Sequence, residues 1–262
     1  GRYWTLRLSP DGRRATVNPD NDIWILDSGN RRTRATSRPE DEVSAVWSPD
    51  GAKIAFVRQQ SILIKPAGQG GQELELFNAG SRYLNPTDWS RNGMNILFNH
   101  YARDSAGSDI WLYDFKEKSA KPWLATEFDE GRARFSPDGN WITYTSNANG
   151  FEEVYLRPLK GEGGAILVSA AGGYHPIWRA DGRELFYLSL KNELMAVEVA
   201  GLGATLEISE PRRLFKAPLS EITMDAAYDV APDGQRFLVN MPESPEPLFF
   251  IQGIDELLKR GQ

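Results

Sequence analysis

A five-residue phrase recurs six times along the chain, and its spacing constrains the fold more than any other feature. The copies lie at residues 8–12, 47–51, 89–93, 135–139, 178–182 and 230–234, and the fullest copies read aromatic-Ser-Pro-Asp-Gly. Their closing glycines lie 39, 42, 46, 43 and 52 residues apart, the period typical of a four-stranded propeller blade. A unit of this size cannot bury both faces of its own sheet, so it must stack against copies of itself.

The turn at the end of each phrase predicts strands on both sides. In the second repeat, Pro49 presets the backbone φ of the second turn position, and Gly51 accepts the positive φ that closes the turn. Four short apolar segments follow this pattern, at residues 43–48, 53–58, 62–66 and 74–77. An aromatic residue of the first strand is predicted to pack one blade on the next, namely Trp47, Trp89, Phe135 and Trp178. The sequence thus predicts an all-β fold, a six-bladed β-propeller of four-stranded antiparallel blades.

The repeats predict one domain over residues 1–262. The expected blades cover roughly residues 1–36, 42–80, 84–126, 131–170, 174–218 and 225–262. The last repeat ends after its third strand, so we predict a three-stranded last blade and a short C-terminal helix over residues 254–259. Because exposed sheet edges promote association, that helix or residues upstream of Gly1 would cover the outer edge. A fourth strand built by residues 1–5 would contradict this expectation.

Composition excludes several classes of partner. The chain has 30 Lys and Arg against 36 Asp and Glu, a net charge of −6, which disfavours nucleic acids and anionic membranes. It has no cysteine, which excludes disulfides and thiolate metal sites and fits either redox compartment. It has no apolar run of the roughly 18 residues needed to cross a bilayer, so we expect no direct membrane insertion by this chain. It opens on Gly1 without a signal peptide, which indicates an excised domain or a processed chain.

Alternating strand direction separates the connections onto two faces. The face that carries the uniform Ser-Pro-Asp-Gly turns, here called the turn face, is predicted to be structural. The opposite face, here called the loop face, carries the irregular connections, and variable loops on a rigid scaffold are the usual place for binding. We therefore expect a protein or small-molecule ligand there, at the mouth of the central channel.

Polar residues at or near the start of the innermost strands form the predicted ligand-binding set. Its members are Glu42, Asn85, Asp88, Arg132, Arg134, Tyr174, His175 and Asp225. A ring of mixed charge at a channel mouth could hold a carboxylate, a sugar or a protein loop. The alternative is that these charges pair with one another and with water around a solvated pore.

Motifs that carry chemistry are incomplete. The two histidines, His100 and His175, do not have the spacing of a zinc site. Beside a carboxylate, His175 could act in acid–base chemistry, although a structural histidine at a loop end is the simpler interpretation. Neither a Gly-x-Ser-x-Gly elbow nor a phosphate-binding loop occurs, and the acidic loops at residues 20–22 and 127–130 lack the calcium-binding pattern. We therefore predict a chain that is not an enzyme, without cofactor or metal.

The repeats resemble those of TolB-type, WD-repeat-like six-bladed propellers. Several stretches are similar to the propeller at the C-terminus of bacterial receptor-type serine/threonine kinases, namely residues 135–147, 153–158, 172–179, 184–188, 194–197, 228–240 and 255–259. That resemblance implies a sensor or interaction domain, joined to a kinase domain outside this chain and located outside the cytoplasmic membrane, although a cytoplasmic location stays open. It transfers no catalytic or ligand-binding residue.

Three functions stay open at this point. The first is a non-catalytic sensor or protein-binding propeller of a larger bacterial receptor kinase. The second is a lyase or hydrolase acting at the channel mouth, with His175, Arg132, Tyr174 and Asp129 supplying the chemistry. The third is a TolB-like propeller that binds an envelope protein, or the gating propeller of a peptidase.

Overall fold

Strands are the regular elements of the computed structural model, which describes residues 5–29, 31–80, 83–101, 107–161, 163–201, 206–216, 228–240 and 248–251. No helix occurs among these residues. The described residues form 24 strands in six separate sheets, and every strand pair within these sheets is antiparallel. The predicted helix over residues 254–259 lies outside the described residues, as do residues 1–4 of the possible extra strand.

The first three sheets each have four strands, in chain order from one side to the other. The first contains β1 (Leu6–Leu8), β2 (Arg14–Val17), β3 (Trp24–Asp27) and β4 (Arg32–Arg34). The second contains β5 (Glu42–Trp47), β6 (Lys53–Arg58), β7 (Ser61–Pro66) and β8 (Leu74–Asn78). The third contains β9 (Tyr83–Trp89), β10 (Asn95–Tyr101), β11 (Ser108–Asp114) and β12 (Ser119–Leu124).

The last three sheets differ in strand number. The fourth contains β13 (Glu130–Phe135), β14 (Trp141–Ser146), β15 (Glu153–Pro158) and β16 (Ile166–Leu167). The fifth contains β17 (Tyr174–Trp178), β18 (Glu184–Leu188), β19 (Glu193–Ala200), β20 (Glu207–Ile208) and β21 (Arg212–Lys216). The sixth contains β22 (Tyr228–Val230), β23 (Phe237–Asn240) and β24 (Leu248–Ile251). β20 and β21 pair with opposite ends of β19, so together they take the place of one outer strand.

The innermost strands form a ring around a common axis. They contact one another in the order β1, β5, β9, β13, β17 and β22, and β22 contacts β1. The predicted all-β propeller of antiparallel blades is therefore confirmed. The prediction of six blades is corrected to five complete blades of four or five strands; the described part of the last repeat supplies a three-stranded sheet, the strand number predicted for it.

The core lies between neighbouring sheets. Trp47, Phe135 and Trp178 are buried as predicted, whereas Trp89 is half-buried and stacks on Phe115 with ring centroids 5.3 Å apart. The Trp47 indole also donates to the backbone oxygen of Arg7 in the neighbouring sheet, at 3.1 Å. The first-strand aromatic thus joins sheets by apolar burial and, in the second sheet, by a hydrogen bond.

The recurring turn is stabilised by its own side chains. In the second sheet the amide of Gly51 donates to the backbone oxygen of Ser48 at 2.8 Å, and Gly51 has a φ of +66°. The Ser48 hydroxyl donates to Asp50 Oδ1 at 2.6 Å and accepts from the amide of Lys53 at 2.8 Å. The hydroxyl and the Ala52 amide both stabilise the ionised carboxylate, so they lower the pKa of Asp50.

Two of the repeats that depart from the phrase, the third and the fifth, keep the same turn by other contacts. Asn92 replaces the aspartate in the third repeat, and its Oδ1 accepts from the Ser90 hydroxyl at 2.8 Å and the Met94 amide at 2.9 Å. In the fifth repeat Arg179 replaces the serine, and its Nε lies 3.3 Å from Asp181 Oδ1. What the turn requires is therefore an acceptor oxygen at its third position and a donor facing it.

The turns also pack against one another around the axis. A Cβ added to Gly12 would lie 2.7 Å from Pro232 Cδ, across the boundary between the sixth and first sheets. The same relation recurs more loosely between Gly51 and Pro10, where the corresponding distance is 3.7 Å. The turn of one sheet therefore rests on the second turn residue of the preceding sheet, and the tightest of these two contacts closes the ring.

We expect Gly12→Ala to destabilise the protein more than Gly139→Ala, because the two glycines differ in packing and not in backbone conformation. Their φ angles are +67° and +74°, so the left-handed backbone costs an alanine about 1 kcal/mol at either site. Nothing lies within 4 Å of a Cβ at Gly139, whereas overpacking against Pro232 adds about 1–3 kcal/mol at Gly12. Urea unfolding of both variants measures the difference; equal free energies of unfolding would contradict the contact.

We expect Ser48→Ala to raise the pKa of Asp50, because the variant lacks the hydroxyl that stabilises the carboxylate most strongly. A carboxyl whose pKa is lowered by folding stabilises the protein above its unfolded-state pKa, and this stabilisation is lost as pH falls through the folded-state pKa. The variant should therefore lose less stability on acidification. Carboxyl NMR titration measures the pKa of Asp50, with Asp11 beside the intact Ser9 as internal control. An unchanged pKa of Asp50 would refute this account.

Candidate functional site

The structure separates the predicted binding residues between the two ends of the channel. Arg132, Tyr174 and His175 lie near the loop face, early in β13 and β17. Asp88 and Arg134 lie near the turn face, at the ends of β9 and β13, and line a cavity there. The predicted set is therefore two groups of residues rather than one ring.

The other three predicted residues join neither group. Glu42 is fully buried and pairs with Arg58, which also donates to both carboxylate oxygens of Glu73 at 2.9 Å. This pairing commits Glu42 to an ion-pair network within the second sheet. Asn85 is buried in β9, and Asp225 lies outside the described residues.

A bulge separates the two ends of several inner strands. Ser44, Arg132 and His175 occupy equivalent positions and have φ angles of +58°, +52° and +52°, and the strand register shifts at each of them. A bulge inserts one residue into a strand and redirects the side chains that follow it. The sequence gives no signal for this feature, because serine, arginine and histidine are not residues that favour positive φ as glycine does.

The loop-face group is held by polar contacts within its sheets and by one hydrogen bond from Arg132 to a neighbouring sheet. Arg132 forms an ion pair with Glu152, and its backbone amide donates to Asn99 Oδ1 of the third sheet at 3.2 Å. The Tyr174 hydroxyl donates to Asn192, and burial raises the pKa of this phenol, an effect that the positive charge of Arg132 partly offsets. Tyr174 is therefore a neutral hydrogen-bonding group at ordinary pH.

His175 links the fifth and sixth sheets. Its backbone oxygen accepts from the Tyr228 hydroxyl at 2.8 Å, and its ring lies 5.3 Å from the ring of Tyr174. With 5% of its surface exposed, the residue is placed for packing rather than for reaching a ligand in solvent. Within the described residues, no group of three or more His, Asp or Glu side chains is arranged to hold a metal ion.

The loop face exposes large hydrophobic side chains, a feature that sequence reasoning missed. Seven such side chains are exposed in the described part of the chain, and four belong to loop-face connections or strand starts of the third to fifth sheets: Tyr83, Phe128, Phe151 and Leu190. Of the other three, Leu74 and Leu167 lie on outer strands and Met94 lies on the turn face. These four residues are here called the loop-face hydrophobics.

Hydrogen bonds fix the loops that carry Phe128 and Phe151. The Asp129 amide donates to Asn147 Oδ1 at 2.9 Å, and the Asn147 amide donates back to the Asp129 backbone oxygen at 3.3 Å. Asp129 Oδ1 also accepts from the amide and the hydroxyl of Ser108, both at 2.8 Å. The two phenylalanines are therefore presented from loops whose relative positions are set by the fold.

The cavity at the turn face has a volume of about 240 Å³ and lies on the propeller axis. The second turn residue of every repeat lines it, namely Pro10, Pro49, Arg91, Pro137, Ala180 and Pro232. Charged residues of the inner strands also line it, namely Arg7, Asp88, Arg134 and Asp229. Sequence reasoning treated the turns of this face as structural; the charges that precede the repeated phrase were the signal for a cavity.

The two aspartates of the cavity join neighbouring sheets. Asp88 accepts from its neighbour Trp89 at 2.9 Å and from the Phe135 amide of the fourth sheet at 2.8 Å. Asp229 accepts from Val230 at 2.9 Å and from the Leu8 amide of the first sheet at 2.7 Å. Burial raises the pKa of Asp88, while the positive charge of Arg134 and the two amides act in the opposite direction.

Comparison with known proteins identifies the fold. The chain is 26% identical over 161 residues to the Tol-Pal system protein TolB of Anaeromyxobacter dehalogenans, which covers 58% of this chain and 36% of that protein. It is 29% identical over 85 residues to the uncharacterized peptidase YuxL of Bacillus subtilis, covering 32% and 13%. The structure of TolB from Acinetobacter baumannii superposes with a TM-score of 0.68 at 18% identity, covering 96% of this chain and 60% of that one. The chain therefore has a TolB-like β-propeller fold.

The comparisons also set limits. No family model matches the chain. The matched part of this chain spans about a third or less of the length of the two curated relatives. These matches do not support the resemblance to kinase propellers, which stays a prediction. In the described residues no helix is long and apolar enough to span a membrane.

We expect Asp229→Ala and Asp88→Ala to expose different backbone amides, because each carboxylate accepts from a different neighbouring sheet. Asp229→Ala should reduce hydrogen-exchange protection of Leu8, and Asp88→Ala that of Phe135. Each loss of a charged acceptor should cost about 2 kcal/mol of unfolding free energy. Each variant is the control for the other in exchange measured by NMR. Equal loss of hydrogen-exchange protection at both amides in both variants would show that each hydrogen bond does not act locally.

Proposed function

We propose that this TolB-like propeller is a non-catalytic protein-binding module whose partner docks on the loop face of the third to fifth sheets. The observation that carries this proposal is the exposure of all four loop-face hydrophobics on one face: Tyr83, Phe128, Phe151 and Leu190 are 72%, 38%, 46% and 52% exposed. Single exposed apolar residues are common on proteins, but a group on one face of a rigid scaffold is typical of an interaction surface. Aromatic residues are also enriched in protein interfaces.

Charge indicates the chemistry of the partner. Glu127 and Asp129 are exposed on either side of Phe128, and Glu152 follows Phe151. The nearby cation Arg132 is already paired with Glu152. The surface therefore favours a partner segment that carries apolar side chains together with lysine or arginine, since complementary charge improves association and register.

The likeness to TolB supports a place for this propeller in the bacterial envelope, outside the cytoplasmic membrane, as the binding part of a longer protein. A receptor kinase is one protein in which such a module would act as a sensor. The lyase or hydrolase function has less support, because its proposed residues are committed to structural contacts. Asp129 accepts three hydrogen bonds: two from Ser108 to its carboxylate and one from the Asn147 amide to its backbone oxygen. His175 is buried.

The first experiment identifies the partner. A photo-cross-linking amino acid is placed at Phe151 or, as the control, at Leu74 on the outer strand β8, in the full-length protein expressed in its own cells. Both side chains are exposed, 46% and 57% respectively, so access to the cross-linker is similar. We expect a protein that is cross-linked from Phe151 and not from Leu74. The same products from both positions would oppose a loop-face site.

The second experiment measures the contribution of the surface. Phe128→Ser with Phe151→Ser should weaken binding of the purified partner by at least about tenfold, because two aromatic contacts are lost. Leu74→Ser with Leu167→Ser removes equally exposed hydrophobic side chains from outer strands and should leave affinity unchanged. Calorimetric titration gives both dissociation constants. An equal effect of the two pairs, or no effect of the first, would overturn the proposal.

A further inference from the structure

Charged and apolar residues alternate in a regular order around the turn-face cavity. The residues that directly precede the first-strand aromatic position are, in sheet order, Arg7, Val46, Asp88, Arg134, Ile177 and Asp229. The order arginine, aliphatic, aspartate thus occurs twice in one circuit, and all six residues line the cavity. Because the six inner strands form a ring, the two arginines face each other across the axis, and so do the two aspartates.

The hydrogen-bonding capacity left in the cavity is mainly that of donors. All four carboxylate oxygens of Asp88 and Asp229 already accept a backbone amide at 2.7–2.9 Å. The guanidinium of Arg134 lies 3.8 Å from Asp88, beyond hydrogen-bond distance, and makes no hydrogen bond to the described residues. Its side chain is 14% exposed and lines the cavity. An acceptor is therefore the group that this space can bind.

The net charge of the cavity lining also favours an anionic acceptor. Arg7, Arg91, Arg134 and Arg179 line the cavity against two aspartates, and Arg179 is paired with Glu184 at 2.9 Å outside it. Arg7, Arg91 and Arg134 together exceed Asp88 and Asp229 by one positive charge, in a chain whose net charge is −6. A concave site of one sign with low-dielectric walls concentrates the opposite ion.

Arg91 lies over the mouth of the cavity. Its Nη2 donates to the backbone oxygen of Ala180 at 3.1 Å, a contact that runs from the third sheet to the fifth. Both residues stand where other repeats have proline, so the two departures from the phrase meet at one place. Arg91 is exposed and can therefore act as an outer donor to a molecule that enters between the prolines.

We propose that this cavity binds a small oxyanion, a carboxylate or a phosphate, on the propeller axis between Arg7 and Arg134. Two guanidinium groups on opposite sides of the axis suit a ligand with acceptor oxygens at both ends, and planar guanidinium pairs well with either oxyanion. A cavity of about 240 Å³ has room for a molecule of that size. The site lies at the opposite end of the channel from the protein-binding surface and does not depend on it.

The test is a calorimetric titration of the chain with succinate, acetate, phosphate and chloride, at one constant ionic strength. We expect succinate or phosphate to bind more tightly than acetate, because these can engage both arginines, and chloride to bind least. The better of the two shows whether the natural ligand is a carboxylate or a phosphate. No saturable heat with any oxyanion, or equal affinity for chloride and succinate, would overturn the proposal.

Variants locate the site. Arg134→Gln should weaken binding of the better oxyanion by about tenfold, since a charge-assisted pair of hydrogen bonds is lost. Arg183→Gln makes the same charge change on the turn face at a side chain that is 81% exposed, and should leave affinity unchanged. Arg134→Lys keeps the charge next to Asp88 and should lose less than Arg134→Gln, with a melting temperature near that of the wild type. Equal losses for Arg134→Gln and Arg183→Gln would show general charge attraction instead of a site.

Discussion

Closure between the last and first sheets is the constraint on which the rest of the structure depends. Asp229 accepts from Leu8, which lies 221 positions earlier in the chain, and Pro232 packs against Gly12. Leu238 joins Leu6 in one buried cluster. Each sheet buries its faces against two neighbours, so an open ring would expose an apolar face on both of its ends. The contacts between sheets cannot be completed until nearly the whole chain is present, which makes these few polar bonds specific for the closed arrangement.

The repeated phrase made much of this architecture predictable from sequence. Its glycine and proline set turn geometry locally, and its period fixes the size of a sheet, so strand order and inner-strand position followed from residues a few positions apart. The bulges at Ser44, Arg132 and His175 did not follow, because they place residues other than glycine at positive φ, which no local residue pattern in the repeats marks. The bulge in β13 directs Arg132 toward Glu152 near the loop face, whereas Arg134 lies beside Asp88 near the turn face. Two residues that were expected in one site therefore belong to two groups.

The face with uniform turns illustrates a second limit of pattern reasoning. Uniformity of the Ser-Pro-Asp-Gly turn correctly indicated a structural role, since the serine and aspartate stabilise the turn from within. It also hid variation at the position just before the aromatic residue, where the side chain faces the axis and is free of the turn's requirements. Each repeat can keep the same turn while the residue that faces the axis differs from copy to copy. The charges that line the cavity come from this variation.

The two ends of the channel differ in electrostatic character, so the two faces of the propeller favour different kinds of ligand. The loop face presents acidic residues beside exposed aromatics, with Arg132 already paired, whereas the turn face surrounds the axis with three arginines that two aspartates only partly balance. Asp88 and Asp229 accept hydrogen bonds from backbone amides of neighbouring sheets. These hydrogen bonds do not remove the charge of the carboxylates, so Asp88 still offsets part of the charge of Arg134, 3.8 Å away. Because the bonds that join the sheets occupy the aspartate oxygens, the arginine N–H groups are the main hydrogen-bonding groups left to face the axis, and this links ring closure to the preference of the cavity for an acceptor.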